Sequence, residues 1–317
     1  MNGSVWQISA GPASRSYADV FLKYGVALID PGDAGVWSLE RYAHDFSLQG
    51  FVGRFAEEIA TGDVLLLRTG AATISAVGIV ASDYLYLEQF DDVNGWDLQH
   101  ARRARWCRLA KEHIFSALVF GASPTRCSRV QQEEALDFAE RFLKSPPTHW
   151  QTAPLLELPA EEPPLDDVPH ALHGIVAQAA DLVPLLQDQQ AFSELPSEDE
   201  LIVHFVVPFL RALGWPPERI AVQWRRIDVA VFSALPRAPE NCHLVIEAKR
   251  LGAGVEGALE QAKGYVEALG VPRDVIVTDG IRYRMYAGSR GFEPLAYANL
   301  ARLKRPAAAL FAQMQRL

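Results

Sequence analysis

The sequence predicts two domains, one of mixed α+β class and one of α/β class, and three observations carry this prediction. Residues 145–169 are dense in proline and acidic side chains, as in extended linkers. Before them, short apolar strands interleave with helices, which predicts a small mixed β-barrel over residues 1–145. After them, the order helix, strand, strand, helix, strand, strand predicts an α/β core over residues 191–317. Residues 146–190 form the predicted linker, in which 170–190 are apolar enough for a helix on either domain.

Charge and cysteine content narrow the class of protein. The net charge is −9, but residues 196–317 carry 16 Lys and Arg against 13 Asp and Glu, so the acidic excess lies elsewhere. The three cysteines, Cys107, Cys127 and Cys242, are odd in number and widely spaced, which favours a reducing compartment, the cytoplasm, over a disulfide framework. No run of about 18 apolar residues occurs, so we expect no membrane partner.

The N-terminal elements follow from hydrophobic periodicity. Apolar runs predict strands over residues 5–9, 25–29, 64–68, 73–80, 84–87 and 103–109. Helical spacing predicts helices over residues 14–23, 46–60 and 129–143.

One run in this half is densely basic: Arg102, Arg103, Arg105 and Arg108 surround Trp106. Arginines around an aromatic ring are typical of phosphate contacts or of insertion into a DNA groove. We therefore predict that Arg102, Arg103 and Arg105 bind DNA. A solvated strand face, balanced by nearby aspartates, is the alternative.

The N-terminal half resembles the PUA-like superfamily, which includes the EVE and YTH readers of modified bases. The resemblance lies in Trp6-Gln-Ile-Ser9, Gly35-Val-Trp37-Ser38, Gly62-Asp63-Val-Leu-Leu and the strand around Gly78. It implies an aromatic cage for a flipped, modified base. The residues expected to line it are Trp37, Ser38, Tyr17, Tyr84, Tyr86 and Trp96. The alternative is that these aromatic side chains belong to the core.

The C-terminal half contains charges on apolar strands. Residues 226–232 and 243–250 both predict buried strands, and the turn residues between them predict a hairpin with a long loop. Side chains alternate faces, so Glu247 and Lys249 point the same way, and Asp228 can face them from the partner strand. Two carboxylates and an ammonium suit metal-assisted phosphodiester hydrolysis, with Asp228 and Glu247 on Mg²⁺. The alternative is a structural ion-pair network.

Flanking signals complete the predicted core. Ser197 and Glu200 have the spacing of a capping box, and Gly214 suits the end of the helix that follows. Residues 255–270 predict a second helix. Asp279-Gly280, between two apolar runs, predicts a tight hairpin.

This segment, roughly 195–290, resembles the PD-(D/E)xK nucleases, in particular the nuclease region of type I restriction R subunits. The resemblance rests on the acidic helix ending in Leu-Gly-Trp215, Arg-Ile-Asp228, Ile-Glu247-Ala-Lys249, Gln261-xxx-Tyr265 and Thr-Asp279-Gly280. It implies that Asp228 and Glu247 bind metal and that Lys249 is catalytic, with supporting roles for Gln261 and for either Glu198 or Glu200. Tyr265 and Lys263, on the helix of Gln261, are expected to contact DNA.

Together these features predict a modification-dependent, type IV-like restriction endonuclease with a role in phage defence. The expected substrate is double-stranded DNA bearing a modified base, and the expected cofactor is Mg²⁺, for which Mn²⁺ can substitute. No Walker A run occurs, so no ATP is expected. Because one site cuts one strand, we expect a homodimer. The alternatives are a nuclease without modification specificity, whose N-terminal domain binds a partner, and a non-catalytic reader of nucleic acid.

Overall fold

The computed structural model describes residues 3–11, 16–30, 35–43, 46–93, 97–121, 126–147, 149–187, 196–251, 255 and 258–315. The chain divides into two compact units, which we call unit 1 (residues 1–31, 36–93 and 97–161) and unit 2 (mainly residues 162–317). The division falls inside the predicted linker. Among the described helices, none is both long and apolar enough to cross a membrane.

Unit 1 is built on one seven-stranded mixed sheet. Its strands are β1 (Val5–Ser9), β2 (Val26–Ile29), β3 (Val64–Arg68), β4 (Thr73–Val80), β5 (Leu85–Tyr86), β6 (His100–Ile114) and β7 (Cys127–Arg129). Its helices are α1 (Ala18–Tyr24), α2 (Phe46–Gly53), which continues into a π-helical turn (Arg54–Glu58), and α3 (Glu133–Lys144). The strand order is β2-β6-β4-β3-β1-β7, with β5 on β6. Within the described residues this path has two open ends, so the predicted closed barrel is not confirmed.

Two predicted elements of unit 1 need correction. The strand predicted over residues 103–109 is a 15-residue strand, β6, which pairs with β2, β4 and β5. The helix predicted from residue 129 begins at Glu133, because Arg129 pairs with Trp6 in the antiparallel β1–β7 ladder. Pairing with a strand more than 100 residues away overrides the local helical periodicity.

Unit 2 is a six-stranded sheet with helices on both faces. Its strands are β8 (Ile220–Trp224), β9 (Ile227–Phe232), β10 (Cys242–Ala248), β11 (Asp274–Thr278), β12 (Arg282–Ala287) and β13 (Glu293–Asn299), in the order β13-β12-β11-β10-β9-β8. Its helices are α4 (His173–Gln187), α5 (Glu198–Leu201), which continues through a π-helical segment (Ile202–Val206) into α6 (Val207–Ala212), α7 (Ala258–Leu269) and α8 (Ala307–Met314). The predicted order of elements is present, and β8, β13 and α8 extend it.

The connections of this sheet determine which strand ends lie next to each other. The chain runs from β10 through α7 into β11, and β10 and β11 are parallel neighbours. The predicted hairpins β9–β10 and β11–β12 are both antiparallel pairs. Gly280, in the β11–β12 turn, has a φ of +87°, which an L side chain rarely adopts. The carboxyl ends of β10 and β11 and the first residues of β9 and β12 therefore meet at one end of the sheet.

The two faces of this sheet pack against different helices. Ile246 and Ala248 lie in the core shared with α4, the α5–α6 helix and α8, whereas Val245 and Val277 lie in the core shared with α7. Alternation along the strand therefore directs Val245 and Glu247 to the α7 side.

The predicted linker is packed for much of its length. Trp150 is buried in the core of unit 1, and Ile175, Ala179 and Leu182 of α4 lie in the core of unit 2. The three cysteines are buried, and none of them forms a disulfide bond.

Candidate active site

The carboxyl end of β10 brings together the three residues predicted to carry catalysis. Ile246 is paired with Val229, so the register places Glu247 opposite Asp228. Lys249 follows two residues later, and its backbone N–H donates to Thr278 O at 2.7 Å, which holds it beside the end of β11. Asp228, Glu247 and Lys249 therefore share the end and the α7 side of the sheet.

Asp228 is half-buried, and both of its carboxylate oxygens are oriented by hydrogen bonds. The backbone N–H of Ala248 donates to Oδ2 at 2.9 Å, and Gln223 Nε2 donates to Oδ1 at 3.2 Å. Each oxygen keeps at least one further lone pair for another ligand. Gln223 was not among the residues predicted from the sequence, since it lies on β8, a strand that the sequence analysis did not predict.

Glu247 is fully buried, with no exposed side-chain surface. Its Oε1 forms an ion pair with Lys249, whereas its Oε2 is buried and has no hydrogen-bond partner among the described residues. Burial raises the pKa of Glu247 to about 7; the nearby Asp228 adds to the rise and Lys249 opposes it. A buried acceptor without a partner costs stability, so this oxygen is placed for a ligand that the protein does not itself supply.

Lys249 is about one-fifth exposed. Burial by itself would lower the pKa of the ammonium, but Glu247, Glu198 and Asp228 outweigh it, so the pKa of Lys249 is raised and the group carries its charge. Of the two candidate glutamates, Glu198 is the one that contributes to the raised pKa of Lys249. Glu200 completes the predicted capping box, since its Oε2 accepts from the Ser197 N–H at 2.7 Å.

The donor set fits a hard divalent cation with few protein ligands. Across the described residues, no group of three or more His, Cys, Asp or Glu side chains is placed to hold a metal ion together. Mg²⁺ is usually held by only one or two carboxylates, with water and substrate phosphate filling the remaining positions. Asp228 and Glu247, whose Oε2 has no hydrogen-bond partner among the described residues, supply such a pair, and they are the residues that would hold the ion.

The predicted residues on α7 interact locally. Gln261 Nε2 donates to the Tyr265 hydroxyl at 2.7 Å, and Lys263 forms an ion pair with Glu260 at 2.6 Å. Within the described parts of the chain, none of the three forms a hydrogen bond or ion pair with Asp228, Glu247 or Lys249. Gln261 and Tyr265 lie four residues apart on one helix face and contact each other, but the support that Gln261 was expected to give the site is not seen.

In unit 1, three of the predicted cage residues gather around a histidine that the sequence analysis missed. The Tyr84 hydroxyl is 2.9 Å from His100 Nδ1, and it accepts from the Trp37 backbone N–H at 3.1 Å. Tyr86 packs edge-on to the imidazole at 5.2 Å. Tyr42, also missed, places its hydroxyl 3.1 Å from His100 Nε2.

This cluster is internally satisfied. Burial lowers the pKa of His100 to about 3, so the ring is neutral, and each of its nitrogens is bonded to a tyrosine hydroxyl. The half-buried Trp37 donates its indole N–H to Glu57 at 2.8 Å and packs on Tyr42 at 5.1 Å. The signal that could have found His100 is its position at the start of an alternating run that the predicted strand excluded.

The other predicted cage residues lie elsewhere. Tyr17 is 4% exposed and packs on Phe21, so it is a core residue. Ser38 is exposed, and its hydroxyl accepts from the Arg41 backbone N–H at 3.1 Å, which makes it a turn residue. Trp96 lies outside the described residues.

The arginines of the basic run in unit 1 donate hydrogen bonds to backbone carbonyls of the same unit. Arg102 is 2% exposed, and its guanidinium donates to the carbonyls of Phe55, Ala56 and Ser82 at 2.7–3.0 Å. Its predicted DNA contact is therefore wrong, because its donors are buried and used. Arg103 and Arg105 are both half-buried. Arg103 donates to the carbonyls of Gly25 and Leu156, and Arg105 donates to the carbonyl of Ala153.

Comparison with known proteins gives sparse results. A domain of unknown function (DUF8426) matches residues 6–126. No curated protein matches. Among solved structures, the chain is similar to a fragment described as an HsdR subunit of a type I restriction enzyme from Vibrio vulnificus, with 21% identity and a TM-score of 0.26. The match covers 38% of this chain, and the chain spans about a quarter of that structure.

Proposed function

We propose that the chain is a metal-dependent nuclease whose active site is the end of β10 in unit 2. The observation that carries this proposal is the fully buried Glu247, whose Oε2 has no partner among the described residues and lies opposite Asp228. A structural ion-pair network would use both oxygens of its buried carboxylate. A site that awaits a cation leaves one of them for the ion.

The roles follow from the contacts. Asp228 and Glu247 would hold Mg²⁺ or Mn²⁺, and the ion, when bound, polarises the scissile phosphate and makes its water more acidic. The hydrogen bonds from Ala248 and Gln223 hold the Asp228 carboxylate in one orientation. Lys249 keeps its charge and stabilises the negative charge that develops on the phosphate. No ATP is required.

The direct experiment is cleavage of a plasmid in Mg²⁺. Wild-type protein should cut, and EDTA should stop it. The isosteric variants Asp228→Asn and Glu247→Gln, together with Lys249→Met, should each lower the rate by about a thousandfold or more. Arg290→Ala is the control, because this exposed residue follows β12 at the opposite end of the sheet. A folded Asp228→Asn protein that cuts at the wild-type rate would refute the assignment.

Within this proposal, the substrate is double-stranded DNA bearing a modified base, which unit 1 recognises as in type IV-like restriction. The support is the aromatic group of Trp37, Tyr84 and Tyr86 around His100. A double-strand break then needs two copies of the chain. Matched plasmids with unmodified, 5-methylcytosine, hydroxymethylcytosine or N6-methyladenine bases test the specificity: one modified plasmid should be cut preferentially.

A second function has its own support in unit 1. Arg102, Arg103 and Arg105 donate to backbone carbonyls, so the predicted phosphate-binding surface of unit 1 is engaged internally. That favours a nuclease without modification specificity, whose N-terminal unit binds a partner. Equal cleavage of all four plasmids would select this function.

We also propose that the nuclease fragment must begin near residue 162. A fragment of residues 191–317 lacks Leu172, Ile175 and Ala179, which lie in the core of unit 2. Residues 162–317 should unfold cooperatively and cut DNA, whereas 191–317 should be unstable. Comparable stability of the two fragments would contradict this boundary.

A further inference from the structure

The turn between β8 and β9 has an unusual backbone. Trp224 pairs with Ile227, so Arg225 and Arg226 form a two-residue loop, with φ values of +52° and +71°. Gln223, just before, has a φ of +52°. Three of the four non-glycine residues with positive φ in the described chain therefore lie within four positions. Two-residue loops of this kind favour Asn-Gly, since β-carbons are disfavoured at positive φ.

This hairpin is at the functional end of the sheet. β9 runs antiparallel to β10, so the residues that open β9 lie beside those that close β10. Arg226 is two residues before Asp228, and Gln223 donates directly to the Asp228 carboxylate. A strand of nucleic acid whose phosphate reaches Asp228 and Glu247 must therefore pass close to the tip of this hairpin.

The two arginines at the tip are available to a ligand. Both side chains are exposed, and neither forms an ion pair with any residue that the structure describes. The Arg225 guanidinium lies over the Trp224 ring at 5.0 Å, and Trp224 is fixed edge-on against Phe232, also at 5.0 Å. Arg237, by contrast, donates hydrogen bonds to the backbone carbonyls of Glu218, Pro217 and Ile220.

The combination of strain and exposure needs an explanation outside the fold. Residues held in a disfavoured backbone conformation persist where the surroundings require them, and they cluster at functional sites. Among the residues that the structure describes, neither arginine forms an ion pair, while asparagine and glycine would suit the turn better. The two arginines supply what Asn-Gly lacks, namely two positively charged guanidinium groups that can each bind two phosphate oxygens.

We propose that the Arg225–Arg226 hairpin tip binds backbone phosphates of the nucleic acid strand that enters the Asp228–Glu247 site. This inference rests on the proposed nuclease function, whose substrate it would anchor. The contacts are to phosphate, so they hold the strand in register and add no base preference.

The test replaces the turn by the dipeptide that its backbone favours. The double variant Arg225→Asn, Arg226→Gly should fold at least as stably as wild type, which removes misfolding as an explanation. Binding of a short duplex is measured by fluorescence anisotropy in EDTA, at about 50 mM and about 200 mM salt. The matched control is Arg290→Ala, which removes an exposed arginine at the opposite end of the sheet.

Loss of two phosphate contacts should lower the salt exponent of binding by about 2. Between the two salt concentrations, wild-type affinity should therefore fall about tenfold more than that of the double variant. The control should keep the wild-type salt dependence. A folded double variant with the affinity and salt dependence of wild type would overturn the inference, and so would wild-type protein that binds no duplex.

Cleavage separates this inference from the function on which it rests. If wild type binds the duplex through the tip but cuts nothing in Mg²⁺, the nuclease proposal fails while the binding surface stands. If wild type cuts and the double variant binds and cuts equally well, the nuclease stands and the hairpin inference fails.

Discussion

Each unit has a fully buried polar group at its centre, His100 in unit 1 and Glu247 in unit 2, and the two differ in how they are satisfied. Both ring nitrogens of His100 are bonded to tyrosine hydroxyls, and burial keeps the ring neutral. Glu247 has one oxygen on Lys249 and one without a partner in the described structure. A satisfied buried group contributes to stability, whereas an unsatisfied one costs stability until a ligand arrives.

The arginines of the two units differ in the same way. Arg102 is buried and donates to three backbone carbonyls, so it ties β6 to neighbouring segments of its own unit. Arg225 and Arg226 are exposed on a strained turn. Whether an arginine serves the fold or a ligand is therefore decided by the acceptors within its reach and not by the density of basic residues in the sequence.

The largest effect on stability is expected from removing the side chain of His100. His100→Ala opens a cavity and leaves the Tyr42 and Tyr84 hydroxyls without their partner, so it should lower the free energy of unfolding by about 3–5 kcal/mol. Thermal or denaturant unfolding of the full chain measures it. His149→Ala, at an exposed position of the same unit, is the control and should cost almost nothing. Equal stability of the two variants would contradict a central role for His100.

Glu247, the buried group with an unsatisfied oxygen, should make the stability of the metal-free protein depend on pH. The folded-state pKa of Glu247 is about 7 against an ordinary value of 4.5, so the folded protein holds a proton that the unfolded chain has already lost in that window. Stability from this group is therefore full below about pH 4.5 and falls as pH rises towards 7. Metal-free wild type should lose about 3 kcal/mol more than Glu247→Gln across this range.

The measurement is denaturant unfolding in EDTA at a series of pH values. Glu218→Gln, at an exposed carboxylate, is the control and should follow wild type. Mg²⁺ should then stabilise wild type at neutral pH and leave Glu247→Gln unchanged. If the free energy of unfolding varies with pH in the same way for wild type and Glu247→Gln, burial does not raise the pKa of this carboxyl group.

Trp37 tests whether the satisfied cluster also binds a base. Stacking on one aromatic ring is worth roughly 1–3 kcal/mol, so Trp37→Ala should weaken binding to the preferred modified duplex by about tenfold to a hundredfold. Affinity for unmodified duplex should change little, because that binding is driven by phosphate contacts. An equal loss on both duplexes, or a loss of folding, would make Trp37 a structural residue through its contacts with Tyr42 and Glu57.

The smallest effect is expected from the basic run of unit 1. Arg105→Met removes a hydrogen bond to the Ala153 carbonyl and should cost about 1 kcal/mol of stability. The salt dependence of duplex binding should not change, in contrast with the Arg225/Arg226 variant. A reduced salt exponent for Arg105→Met would restore the DNA-binding role first predicted for this run.

The sequence by itself determined the features that depend on neighbours along the chain. Periodicity predicted β1, β3, β4 and the β11–β12 hairpin, the spacing of Ser197 and Glu200 predicted the capping box, and alternation placed Glu247 and Lys249 on one face. These are short-range properties, because a strand's side-chain parity and a helix cap involve residues a few positions apart.

Tertiary structure alone decided the features that depend on distant partners. Three such features require the packed chain: the carbonyls that accept from Arg102, the contacts of Tyr42 and Tyr84 with His100, and the contact of Gln223 with Asp228. The contribution of Glu198 to the pKa of Lys249 is another. Arg102 and Arg225 read alike as exposed basic residues in a linear sequence. They differ because backbone pairing over tens of residues surrounds one with carbonyl oxygens and leaves the other in solvent.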